Sequence, residues 1–218
     1  MSPFEYPLSP RTREKAEPLS AIGNAGDRRC GKSTVRRRVR PDCAPQRRWL
    51  LFLPMGALIE NRTFDELGLG ESAVLERTLS WEDIELFAVV SGDVNPAHVD
   101  AEYARSDVFH AIVAHGMWGA SLISTLLGTR LPGPGTIYLA QTLRFRHPVT
   151  IGDTITVSVT VASKEPERHQ VVLDCRCVNQ RGETVIDGSA TVLAPTEKVR
   201  RPRFPLPEVS VREHDAGT

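Results

Sequence analysis

Little in this chain argues for a membrane span or a disulfide scaffold. Its longest apolar run, WLLFLPMGALI at 49–59, is too short to cross a bilayer. An Arg-Arg pair precedes it and gives it some likeness to the core of a secretory signal. The run starts only at residue 49, however, and no convincing small-residue cleavage site follows. Cysteine is scarce, at 4 in 218 residues, and no Cys/His spacing matches a zinc site. Cys175 and Cys177 stand two apart in a strand-like run, so they share a face and read as small apolar residues. Cys30 and Cys43 lie near the N-terminus. These absences point to a soluble protein of a reducing cytoplasm that holds no metal.

Net charge is also missing, because 27 Lys+Arg balance 27 Asp+Glu, but the balance is uneven along the chain. Residues 1–54 hold 12 basic and 5 acidic residues, and 55–218 hold 15 basic and 22 acidic. The first segment carries seven prolines, the run RRRVR at 36–40 and no sustained helical or strand periodicity. Such a segment lacks the apolar surface to offset its ordering entropy. Residues 1–54 are therefore expected to form a solvated, disordered basic arm, and Met55 is expected to be the natural start. A basic arm can bind nucleic acid, but this one lacks the interleaved aromatics that stack on bases. No nucleic-acid or membrane partner is expected.

Within the arm, GDRRCGKS at 26–33 satisfies the phosphate-loop pattern from Gly26 to Ser33. A phosphate loop needs a strand to deliver its glycines and a helix to leave them, so that backbone amides cradle phosphate. Here AEPLSAIGNA precedes and TVRRRVRPD follows, with arginines on both faces and an early proline. The match reads as an accident, and no ATP or GTP binding is expected.

Composition from Met55 onward is that of an ordinary globular domain. A short strand is expected over 71–79. Ser80 followed by Asp83 is a capping-box start for the helix WEDIELFAVV, which puts Ile84, Phe87 and Ala88 on one face and ends at Ser91-Gly92. DVNPAH then reads as irregular backbone, because Pro96 lacks an amide donor and holds Asn95 extended. A short helix is expected over 100–105. HGMWGASLISTLLG at 115–128 is apolar nearly all round and reads as a helix buried on every side. Four strand-like runs follow: TIYLAQTLRFR, DTITVSVTVAS, HQVVLDCRCVN and ETVIDGSATVLA, with NQRGE as a turn between the last two. Their even spacing predicts an antiparallel meander. The class is α+β, with a curved antiparallel sheet wrapped around one long central apolar helix. The proline-rich 196–218 reads as a tail or linker.

Chemistry concentrates around that helix. In GDVNPAH, Asp93 and His98 flank a proline-rigidified turn. A carboxylate and an imidazole held together can divide the acid and base work of adding or removing water. The same residues could instead serve an Asx-turn, with purely local hydrogen bonds. Gly116 opens the apolar helix, so its amide lacks an intrahelical acceptor, lies at the positive dipole end and carries no obstructing side chain. That amide suits a thioester oxygen becoming an enolate. His115 reads as a helix-start residue, and Met117 and Trp118 as core or groove wall. Tyr138, Gln141 and Arg144 read as sheet residues. His110, His147, His169 and His214 have no assigned role.

FAVVSGDVNPAHVDAEYA, IVAHGMWGASLIS and GTIYLAQTLRFRHPVTIGD together resemble the (R)-specific enoyl-CoA hydratases of the MaoC-like hotdog family. The likeness covers roughly residues 60–195, within a domain of 55–195. The hydratase motif, an aromatic residue through Gly-Asp-x-Asn-Pro-x-His, is met from Phe87 to His98. A closer likeness is to the hydratase-like N-terminal domain of bifunctional proteins that continue into a phosphate acetyl- or butyryltransferase. This chain stops where that second domain would begin, so no transferase activity is expected.

The resemblance implies a single hotdog domain that reversibly hydrates trans-2-enoyl-CoA to (R)-3-hydroxyacyl-CoA. It places the catalytic dyad on Asp93 and His98 and the oxyanion donor on the Gly116 amide. Asn95 would order the loop, and Ser124 would line the site or bond its own helix backbone. The resemblance implies a homodimer, with acyl-CoA as substrate and no cofactor. Two other readings remain: a hotdog thioesterase that releases free CoA thiol, and a non-catalytic acyl-CoA-binding module in which the dyad is dispensable.

Overall fold

A computed structural model describes residues 58–210 of the chain. The expectations for the basic arm, Met55, the phosphate-loop match, Cys30, Cys43 and His214 lie outside the described residues. Chain order runs β1 (Leu58–Glu60), a 3-10 turn at Phe64–Glu66, β2 (Ser72–Thr78), α1 (Trp81–Ser91), α2 (Pro96–Val99), α3 (Ala101–Ser106) and α4 (Gly116–Thr129). Then come β3 (Ile137–Phe145), β4 (Thr154–Glu165), β5 (Gln170–Asn179), β6 (Thr184–Leu193) and β7 (Arg200–Pro202).

Local signals place several of these boundaries. The Ser80 hydroxyl accepts from the Asp83 amide and the Asp83 carboxylate accepts from the Ser80 amide, so the expected capping box starts α1. Gly92 ends it in the left-handed region at φ 75°, where a side chain would be strained. The segment after it departs from expectation. Residues 96–99 form a helical turn, because the Asn95 side chain accepts from the Ala97 amide and Pro96 occupies a first-turn position that needs no donor.

Five antiparallel strands form one sheet in the order β2-β4-β5-β6-β3. Only β4, β5 and β6 make the expected meander. β3 pairs with β6, with Ile137 opposite Leu193 and Phe145 opposite Ile186. Residues 146–153 therefore carry the chain back across the end of the sheet to β4. Strands about 4.8 Å apart put that crossing at roughly 14 Å, well within the reach of a short connection at about 3.3 Å per residue. Even strand spacing carries no information about such a crossing.

Alternation along β4 and β5 buries Ile155, Val157, Val159 and Val161 with Val171, Leu173, Cys175 and Cys177 on one face. Cys175 and Cys177 are free thiols within that face, as the spacing implied. Trp118, Ile123, Leu126 and Leu127 of α4 belong to the same core cluster. Helix α4 is not enclosed on every side, however. Met117, Ser121, Ser124, Thr125 and Gly128 form an exposed stripe, since one sheet covers only one side of a helix.

The linker expectation for 196–218 also needs correction at its start. β7 pairs antiparallel with β1, matching Glu60 to Arg200. Asn61 is fully buried, its Nδ2 donates to the Glu197 carbonyl at 2.8 Å, and its Oδ1 accepts from the Val199 amide at 3.0 Å. Lys198 adds ion pairs to Glu60 and Glu66. The first part of the tail is thus stitched to the domain, while the chain beyond Pro202 makes no further strand among the described residues. No helix among those residues is long and apolar enough to cross a membrane.

Candidate active site

Three segments meet at the N-terminal end of α4. The loop after α1 supplies Asp93, α2 supplies His98, and the residues leading into α4 supply His115 and Gly116. One ligating atom from each of Asp93, His98 and His115 lies within 4.8 Å of those of the other two. The Asp93/His98 pairing expected from spacing is therefore present in space.

Backbone pairing holds His98 in place. The Val113 amide donates to the Ala97 carbonyl at 3.3 Å, and the Ala114 amide donates to Val149 at 2.8 Å. This ties the approach to α4 to both α2 and the β3–β4 crossing, and it presents the Val113 carbonyl to His98 Nδ1 at 2.8 Å. A carbonyl only accepts, so Nδ1 carries the proton. In the neutral ring Nε2 then bears a free lone pair.

Asp93 is exposed in the single chain and serves the loop and the cluster at once. Its amide donates to the Ser91 hydroxyl and its Oδ1 accepts from the Asn95 amide at 3.1 Å, which is the expected Asx-turn. The Asn95 side chain accepts from the Ala97 amide and caps α2, so among the described residues Asn95 orders the loop and touches the dyad through its backbone amide alone.

Gly116 is the first residue of α4, with His115 as its N-cap in extended geometry at φ −55° and ψ 131°. Its amide has no acceptor one turn back. A Cβ at this position would sit 2.9 Å from Phe145 Cε1, so the ring of Phe145 lies directly over the glycine. A cavity of roughly 340 Å³ opens here, lined by His98, Gly116, Trp118, Phe145, Ile155 and Ile186 among others. Its wall is mostly apolar with a few polar groups, the usual character of a small-molecule site. Arg146 and His147 also reach this cavity. Ser124 is exposed on α4 and does not line it.

His115 is the participant that residue spacing did not single out. It does begin a helix, as expected, but it is also 3% exposed and central to the cluster. Its Nε2 donates to the Asp93 backbone carbonyl at 2.9 Å, and its ring packs on His98 at 4.0 Å and on Phe87 at 5.0 Å. The signal that could have found it is its place immediately before the glycine whose amide is unpaired. Asp93, His98 and His115 are also residue types that ligate divalent ions. Here the two rings pack at a tilt of 36°, and His115 Nε2 donates to the Asp93 carbonyl.

A family model described as a MaoC like domain matches residues 67–178. The chain belongs to that family. A relative from Rhodospirillum rubrum named (R)-specific enoyl-CoA hydratase is 50% identical over 132 residues, covering 61% of this chain and 91% of the relative. A Methylorubrum extorquens protein named 3-hydroxybutyryl-CoA dehydratase is 43% identical over 139 residues, 64% of this chain and 88% of that protein. Among solved structures, an unliganded R-hydratase from Pseudomonas aeruginosa superposes with a TM-score of 0.69 at 43% identity. It covers 72% of this chain and 100% of that one. The fold of this MaoC-like protein is the single α+β hotdog domain that the sequence implied.

Proposed function

We propose that this MaoC-like protein reversibly adds water to trans-2-enoyl-CoA, giving the (R)-3-hydroxyacyl-CoA. The observation that carries the proposal is the His98 tautomer: donation from Nδ1 to Val113 leaves the lone pair on Nε2 of a ring that clusters with Asp93 and lines the same apolar cavity as Gly116. Similarity to proteins named as hydratases and dehydratases of CoA thioesters supports it.

In this reading the acyl chain lies in the cavity and the thioester oxygen accepts from the Gly116 amide. Asp93 and His98 hold one water between them. As the water oxygen bonds C3, His98 Nε2 takes one of its protons and the thioester oxygen takes up the enolate charge. Asp93 accepts a hydrogen bond from the remaining O–H and orients it. The imidazolium then gives its proton to C2 on the same face, so H and OH have added and the enzyme is restored. The step balances without a metal or redox cofactor.

A homodimer completes the proposal. β3 is an edge strand with Ile137, Leu139 and Phe145 each about half exposed, at 57%, 45% and 54%. An apolar edge of this kind calls for a partner, and a second copy would also cover the exposed stripe of α4 that bears Ser124. Light scattering on purified protein gives the stoichiometry.

The activity test is loss of the enoyl-thioester absorbance with crotonyl-CoA, with a thiol reagent in a parallel sample. Loss of the band without thiol release is expected, and chiral analysis of the product gives the (R) configuration. Thiol release would instead mean a thioesterase. Silence in both samples, with longer enoyl chains as well, would leave only the binding-module reading.

A further inference from the structure

Buried polar groups in folded proteins nearly always have partners, and an orphan calls for an explanation. Among the described residues, the one buried side-chain nitrogen or oxygen without a hydrogen bond is His115 Nδ1. A phenyl ring would fill this place without leaving such an atom, so packing alone does not account for a histidine. What histidine adds is the opposite ring nitrogen, which donates to the Asp93 carbonyl at 2.9 Å across 22 residues of chain.

We propose that His115 is a positioning residue for the hydration step, clamping both members of the dyad to the first turn of α4. Its Nε2–H fixes the backbone of Asp93, and its ring fixes the plane of His98 from 4.0 Å away. The residue after it supplies the Gly116 amide. One side chain therefore sets the spacing among base, water-orienting carboxylate and oxyanion donor. Phe87 also packs on the ring, at 5.0 Å and 39°, so the clamp is held by helix α1 as well. The two histidines must carry opposite tautomers in their neutral forms: the proton is on Nδ1 of His98 because it faces Val113, and on Nε2 of His115 because it faces Asp93.

The clamp role rests on the hydratase reading, and two variants separate its parts. His115→Phe keeps a ring against His98 and Phe87 and loses the donor to Asp93. His115→Gln loses the ring but can place an amide N–H near the position of Nε2. A dyad displaced by about 1 Å can cost on the order of 10²-fold. The Phe variant should therefore lose about tenfold or more in kcat on crotonyl-CoA with KM changed less than about threefold. The Gln variant should recover part of that loss, and both should melt close to the parent.

A Phe variant within twofold of the parent kcat, or a Gln variant no better than Phe, would overturn the proposal. Nitrogen-15 spectra of the parent's imidazoles test it without any variant, even where one fails to fold. Opposite tautomers for His98 and His115 are expected, and a proton on His115 Nδ1 in the neutral ring would overturn the clamp. If the parent shows the tautomers but no hydration, it is the hydratase reading that fails.

Discussion

Position 116 allows the oxyanion donor to be removed with little harm to the helix that carries it. Gly116 is the first residue of α4, where proline is well tolerated because its missing N–H has no intrahelical acceptor. Proline also restricts its predecessor to extended geometry, and His115 already sits at φ −55° and ψ 131°. Gly116→Pro therefore deletes the amide hydrogen at little cost to the backbone. It does add a Cβ, which meets Phe145 Cε1 at 2.9 Å, so the ring must shift. Gly116→Ala adds the same Cβ and keeps the amide, which makes it the matched control. Losing one oxyanion donor costs roughly 10²–10³-fold, or about 3–4 kcal/mol in the barrier. Turnover of crotonyl-CoA followed by enoyl absorbance should then fall at least about a hundredfold from Ala to Pro, on top of any loss shared by both. Circular dichroism should show helix retained in each. Equal turnover in the folded Pro and Ala variants would remove Gly116 from the mechanism.

Three other outcomes are expected. Asp93→Asn and His98→Ala should each lose at least about 10²-fold in kcat while staying folded, the lower range for a lost acid-base group; near-normal turnover in either would remove that residue from the dyad. Asn61→Ala should destabilise by roughly 1–3 kcal/mol in denaturant melts, because it removes the two part-buried bonds to the Glu197 carbonyl and the Val199 amide; an unchanged midpoint would mean that these bonds contribute nothing. Burial pushes the Cys175 thiol up to about 11 and the Cys177 thiol to about 12, from 9.0. The folded state thus holds these protons more tightly than the unfolded chain. Their contribution to stability is intact below pH 9 and is lost as pH rises through 11 to 12. Alkaline melts should show that loss, reduced when both are replaced by alanine, and mass spectrometry should find both thiols unalkylated in native protein at pH 9.

Elements defined by neighbours in sequence were legible, and those defined by neighbours in space were not. The capping box of α1, the close of that helix at Gly92, the apolar α4 and the turn at 179–183 all follow from residues a few positions apart. The place of β3 beside β6 does not, because alternation says which face of a strand is buried but not which strand lies next to it. β7 was unreadable for a similar reason. Its residues are exposed, two of the three are arginines, and the β1 and Asn61 partners that hold the chain there lie more than 130 positions away. His115 was missed because its contacts run to Asp93 and His98, neither within helical or strand spacing of it.

The two readings of GDVNPAH, a turn with local bonds and the proposed catalytic pair, fit one arrangement and are not alternatives. Ser91, Asp93 and Asn95 satisfy the loop with side-chain bonds, and those bonds are what hold the Asp93 carboxylate near His98. An Asx-turn consumes one carboxylate oxygen as acceptor and leaves the other available to a water. Pro96 then starts the helical turn that sets the His98 ring against the Val113 carbonyl. Local hydrogen bonding therefore argues for the functional pair rather than against it. What converts a common turn into a candidate active site is the third segment, which brings an unpaired helix amide and a buried imidazole to the same place.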